Sequence, residues 1–117
     1  MTGLEALSRS DRRGEPLLIF EAAMVSLHID LQLKPGAGAE LEKTFGQVFR
    51  PAISVQPGFV AVALLRPAPE ALGYRLVIEF QTEQLRLDWV ATDLHQQVWP
   101  RMEAHCVGYS LKNFTVA

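Results

Sequence analysis

Hydrophobic and polar residues alternate from Val25 to Leu33. Val25, Leu27, Ile29, Leu31 and Leu33 fall on one side, and Ser26, His28, Asp30 and Gln32 on the other. A period of two over this length reads as a strand with one buried face. Lys34-Pro35-Gly36, with Gly38 close behind, breaks the pattern in a turn. From Ala39 to about Ser54 the spacing becomes helical, with Leu41, Phe45, Val48, Phe49, Ala52 and Ile53 in one stripe. Pro51 has no backbone N–H to donate, so this helix is expected to kink or end early there.

Gln56-Pro57-Gly58 forms the next turn, and Phe59 to Leu65 is apolar at every position. Such a run predicts a strand covered on both faces. Pro67, Pro69 and Gly73 mark a loop, after which Tyr74 to Gln81 alternates again: Tyr74, Leu76, Ile78 and Phe80 against Arg75, Val77, Glu79 and Gln81. Two strands joined by so short a loop should pair antiparallel. A second helical region opens at Thr82 or Glu83, with Leu85, Trp89 and Val90 inward. It restarts near Thr92 and continues its stripe through Leu94, Val98, Trp99 and Met102, with a second kink expected at Pro100. Val107 to Val116 reads as a last strand.

The order is β-α-β-β-α-β. Its compact solution is a ferredoxin-like α+β fold, a four-stranded antiparallel sheet with both helical layers on one face. Helices on one face leave the other open, yet Phe59 to Leu65 asks for cover on both. A second copy of the same sheet is the simplest cover, which predicts a homodimer through the sheet face.

The whole chain of 117 residues, 49% hydrophobic and 21% charged, suits one globular domain. Residues 24–117 carry the patterned segments, whereas residues 1–23 read as an N-terminal extension. The apolar run Leu17-Leu18-Ile19-Phe20 within it is only four residues long, short of the roughly 7–15 expected for the core of a signal peptide. A net charge of −2 offers no basic field for nucleic acid. No run approaches the roughly 18 apolar residues of a membrane span. The single Cys106 can form neither an internal disulfide nor a cysteine-based zinc site, and fits a reducing cytoplasm.

Candidate chemistry gathers between Leu87 and Pro100, which hold Trp89, His95 and Trp99. With Thr92 as a helix cap, Asp93 and Leu94 take the first two helical positions and His95 the third. Free N–H groups and the positive end of the helix dipole there disfavour a charged imidazole. Neutral histidine is the form that serves as a base or ligand. The alternative is a helix–helix junction with a partly buried histidine beside an aromatic core. His28 and Asp30 share a strand face and with His95 would imitate a two-histidine, one-carboxylate iron site. No ligand spacing links the three, and no metal is expected. Arg75 and Glu79 read as a solvated or inter-subunit charge pair, and Tyr74 and Tyr109 as strand-edge residues. His105 and Cys106, adjacent at a helix end, should point apart.

The chain resembles the antibiotic biosynthesis monooxygenase domains of the dimeric α+β barrel superfamily. The resemblance covers residues 24–117. It is carried by the Val25–Leu33 strand with Lys34-Pro35-Gly36, by Gln56-Pro57-Gly58-Phe59, by Glu79-Phe80 and, most specifically, by Trp89-x-x-Thr92-x-x-His95. It implies paired sheets in a dimeric barrel and a substrate held between sheet and helices. The activity implied is a cofactor-independent monooxygenase acting on a small aromatic phenol or quinol with molecular oxygen. By position it suggests His95 and His28 as catalytic residues, with Trp89 and Trp99 as pocket walls beside Phe49 and Phe45. Two other readings stay open: a non-catalytic dimeric barrel that binds a small hydrophobic ligand, and a heme-degrading enzyme. The heme-degrading subgroup places its histidine further from the tryptophan, where this chain has Gln96 to Trp99.

Overall fold

The computed structural model describes residues 23–69 and 73–117. Most of the expected N-terminal extension therefore lies outside the described residues. Strand β1, Val25–Leu33, opens the domain. Helix α1 follows in three contiguous parts: α-helical Gly38–Thr44, π-helical Phe45–Phe49 and α-helical Arg50–Ser54. Then come β2, Phe59–Leu65, and β3, Tyr74–Phe80. Two helices, α2 at Glu83–Val90 and α3 at Asp93–Glu103, lead into β4, Cys106–Thr115.

The four strands form one antiparallel sheet in the order β2-β3-β1-β4. Val25, Leu27, Ile29 and Leu31 of β1 and Leu76, Ile78 and Phe80 of β3 are buried under the helical layer. From above they meet Leu41, Phe45, Phe49, Ile53, Trp89, Val98 and Met102. The alternation read from the chain thus faces its apolar side to the helices. A fully buried side chain of this kind contributes about 1.5–3 kcal/mol, so this one interface dominates stability.

One local expectation changes. Pro51 neither ends nor interrupts α1. The π-helical stretch just before it shifts the hydrogen bonding, so that the N–H of Arg50 bonds the carbonyl of Phe45 and the chain passes the proline within a widened turn. Pro100 stands inside α3, where a kink was expected and an end was not, and the helix runs on to Glu103. Strand β2 lies at the edge of the sheet, and within the chain the helical layer covers one of its two apolar faces. Val62 and Leu64 pack on the core, while Ala61, Ala63 and Leu65 lie on the helix-free face and are exposed. Small alanines keep this second row apolar without giving it a layer to pack against.

Gly58 shapes the turn before β2. Its φ is +79°, and a Cβ there would fall 2.4 Å from Cδ1 of Leu85 in α2. Only glycine combines that backbone with so close an approach. Its carbonyl accepts from the N–H of Gln81 at 2.8 Å, holding the start of β2 beside the end of β3.

Candidate active site

The α2–α3 junction is built around one hydroxyl. Thr92 Oγ1 accepts from the N–H of His95 at 3.1 Å and donates to the carbonyl of Trp89 at 2.7 Å. One side chain thereby caps the start of α3 and ties off the last turn of α2. The Gln96 amide adds a bond to the Val90 carbonyl at 2.9 Å. His95 is the third residue of α3, as the capping pattern requires. Thr92→Ala should cost about 1–2 kcal/mol in chemical denaturation, the upper part of the range for a lost cap because both bonds go. Thr92→Ser should recover most of it.

This junction sets the two aromatic residues at its ends against each other. The rings of His95 and Trp89 meet edge to face with centroids 5.1 Å apart. Trp89 is buried and meets Phe49 at 6.2 Å; Phe49 in turn meets Trp99 at 6.4 Å, and Trp99 meets Tyr109 at 5.2 Å. All four contacts are edge to face, the favoured geometry for aromatic quadrupoles. A row of five rings therefore runs from His95 to Tyr109.

The row borders a cavity of about 300 Å³ between sheet and helices. Leu27, Ile29 and Ile78 form its floor, and Leu111 and Tyr109 of β4 one side. Phe49, Trp89, Val90 and Trp99 form the helical walls, and Arg86 and His95 bring the charged or titratable groups. Arg86 does not present a free charge. Its guanidinium grips Glu83 at 2.9 and 2.7 Å, and Glu83 also accepts from Asn113 of β4 at 3.0 Å. The guanidinium holds the Glu83 carboxyl below the usual carboxylate range. The pocket is thus apolar and close to neutral, with His95 as the histidine on its wall.

Burial lowers the pKa of His95 from its ordinary 6.5, so the imidazole is neutral at pH 7. The Gln96 amide nitrogen lies 3.4 Å from Nδ1, too long a contact to fix the ring tautomer by itself. A neutral imidazole on the wall of an apolar pocket can accept a proton from a bound hydroxyl or donate a hydrogen bond to an oxyanion.

Of the residues expected to form the site, His95, Trp89, Trp99 and Phe49 come together around this cavity. Phe45 does not line it. It is buried one turn away, stacks on Phe49, and borders a separate hollow with Glu42, Arg50, Arg66 and Tyr74. His28 is not brought to the cavity either. Because the apolar side of β1 faces the helices, His28 lies on the opposite face of the sheet, 3.1 Å from Ser26 Oγ and edge to face with Phe114 at 5.0 Å. Asp30, on the same face as His28, is engaged by Arg75 at 2.7 and 3.2 Å. The three residues of the imagined iron site are therefore split between two faces, and Arg75 pairs with Asp30 instead of standing opposite Glu79. Tyr74 donates to Glu42, and His105 and Cys106 go separate ways, to Thr44 at 2.9 Å and to the Met102 carbonyl at 3.6 Å.

Arg86, Tyr109 and Leu111 are pocket residues that the sequence reading did not single out. Arg86 carried a usable signal, since it lies three residues before Trp89 and so shares its helical face. For Tyr109 and Leu111 the period-two pattern put them on one face, but which helix that face meets depends on the strand order.

The sequence matches the family model for antibiotic biosynthesis monooxygenase over residues 24–100. No curated protein matches the chain at a significant level. Solved structures do. A protein from Caulobacter crescentus described as an antibiotic biosynthesis monooxygenase superposes with a TM-score of 0.72 at 18% identity, covering 86% of this chain and 95% of its own. SnoaB, a cofactor-independent oxygenase from Streptomyces nogalater, gives 0.72 at 22% identity, covering 82% and 95%. A heme-degrading protein from Mycobacterium tuberculosis gives 0.65 at 27% identity, covering 82% and 93%.

Proposed function

We propose, from the premise that this chain belongs to the antibiotic biosynthesis monooxygenase family, that it is a cofactor-independent monooxygenase of a small aromatic phenol or quinol. The observation that carries this reading is a neutral histidine set on the wall of an apolar, aromatic-lined cavity. The phenolic proton passes to His95, and the resulting phenolate gives an electron to molecular oxygen far more readily than the phenol does. One oxygen atom enters the ring system and the other leaves as water, every electron coming from the substrate. Trp89, Trp99 and Phe49 hold the flat ring and exclude water from the radical pair. Oxygen uptake with a panel of quinols and polyphenols tests the reading. A panel on which the protein consumes no oxygen above the uncatalysed rate would sink it.

The alternative of a non-catalytic barrel has one observation in its favour: the polar groups of the pocket are few and Arg86 is already neutralised. It predicts ligand binding without oxygen uptake. Heme degradation is the lesser alternative, because the heme-degrading subgroup places its histidine further from the tryptophan, where this chain has Gln96 to Trp99.

The helix-free face of the sheet supports a homodimer. It carries Ala61, Ala63, Val77 and Phe114 beside the Asp30–Arg75 pair, an apolar surface with a polar strip suited to a second copy. Sedimentation at micromolar concentration should give the mass of two chains, and Ala63→Arg should shift it to one; a native monomer would refute this. We place the protein in the cytoplasm, where a lone buried thiol such as Cys106 stays reduced.

A further inference from the structure

The walls of the cavity differ in how much they can yield. Phe49, Trp89, Leu27, Ile29 and Ile78 are buried core residues, locked between sheet and helices. The exposed members of the lining are Tyr109 and Leu111, 41% and 56% exposed, and both belong to β4. The cavity therefore meets solvent along the β4 edge of the sheet. Tyr109 stands at that opening with its ring edge to face against Trp99 at 5.2 Å, and Trp99 is braced from behind by Phe49. The pair closes one end of the hollow with a side chain whose far side is in water.

The size of the hollow gives that closure a consequence. About 300 Å³ is at the lower bound of ligand pockets. It is twice the roughly 150 Å³ apolar hole that takes one benzene.

We infer that Tyr109, braced by Trp99, sets the upper size of the ligand and restricts this pocket to phenols and quinols of one or two fused rings. The inference rests on the reading of the cavity as an aromatic-phenol site. A larger ring system must displace the Tyr109 ring and give up its contact with Trp99. Truncation of Tyr109 lengthens the cavity toward solvent without emptying the core, since no other buried side chain rests on it in the row. A planar substituent at that position keeps the limit, and the phenolic hydroxyl is not needed for it.

Equilibrium dialysis under nitrogen with 2-naphthol and with 1-hydroxypyrene tests this, using native protein, Tyr109→Ala and Tyr109→Phe. The ratio of the two dissociation constants is the readout, because it cancels any general loss of affinity or partial unfolding. The ratio should move toward 1-hydroxypyrene by about tenfold or more in Tyr109→Ala, the scale of steric discrimination in an apolar pocket, and stay native in Tyr109→Phe. An unchanged ratio in Tyr109→Ala overturns the gate while leaving the pocket standing. Binding of 2-naphthol with the expected ratios, but no oxygen uptake on the quinol panel, overturns the enzyme reading and leaves the gate. Failure of native protein to bind 2-naphthol overturns both.

Discussion

His95→Ala lowers oxygen uptake by about 10²–10⁴-fold on any quinol that the native protein oxidises, the usual share of a positioned general base. The fold should survive the change. Thr92 caps α3 through the backbone N–H at this position, and alanine keeps that N–H. The affinity for ligand measured without oxygen should change little, since the aromatic walls remain. The pH profile carries a separate signature. Burial lowers the folded-state pKa of His95 from 6.5, so the basic form persists to more acid pH than for a free histidine. The acid limb of the native activity should therefore lie below pH 6.5. The sign for stability follows from the same shift. Between the lowered folded value and 6.5, the unfolded chain holds a proton that the folded chain does not. Stability thus rises with pH across that window and is lost as pH falls through it. His95→Ala removes this part of the pH dependence. Native activity with an acid limb above pH 6.5, or equal rates for native and variant, would take His95 out of the mechanism.

Trp89→Ala should be the most destabilising single change in the site, by about 3–5 kcal/mol in chemical denaturation. Trp89 is 2% exposed and is the ring on which Phe49 and His95 both rest. Its removal leaves a hole beside a cavity that already exists, so the surroundings cannot collapse to fill it without closing the pocket. Trp89→Phe keeps an aromatic edge for both neighbours and should cost less than half as much. Trp99→Ala is the informative comparison. Trp99 is only partly buried, so its truncation should disturb stability less and ligand binding more. A cost below about 1 kcal/mol for Trp89→Ala would mean that the aromatic row does not hold the helical layer to the sheet.

The two tryptophans illustrate how far the chain could be read unaided. Their stripe positions, the Thr92 cap and the place of His95 in the first turn of α3 all follow from spacing and local backbone chemistry. So do the four strands and the one-sided helical layer. What spacing could not show was how α1 gets past Pro51. A proline predicts a lost hydrogen bond, but the repair, a π-helical stretch from Phe45 to Phe49, is a choice between two ways of continuing the helix. The aromatic walls were equally out of reach. Phe49 lines the cavity and Phe45 does not, although both lie in one apolar stripe.

His28 and Tyr109 make the same point from the two sides of the sheet. Period two placed His28 opposite the buried face of β1, and it placed Tyr109 and Leu111 together on β4. It could not say which face of β4 meets Trp99, because that depends on the order β2-β3-β1-β4 and on the register that sets Tyr109 beside Leu31.

The sequence by itself determined the elements, the side of each that is apolar, and the capped histidine between two tryptophans. These are properties of neighbours along the chain, and alternation, capping and turn chemistry act over a few residues. Only the tertiary structure decided which residues share a cavity. Strand order and helix packing join positions far apart in the chain. They excluded His28 and Phe45, brought in Arg86, Tyr109 and Leu111, and fixed the size of the space that His95 faces.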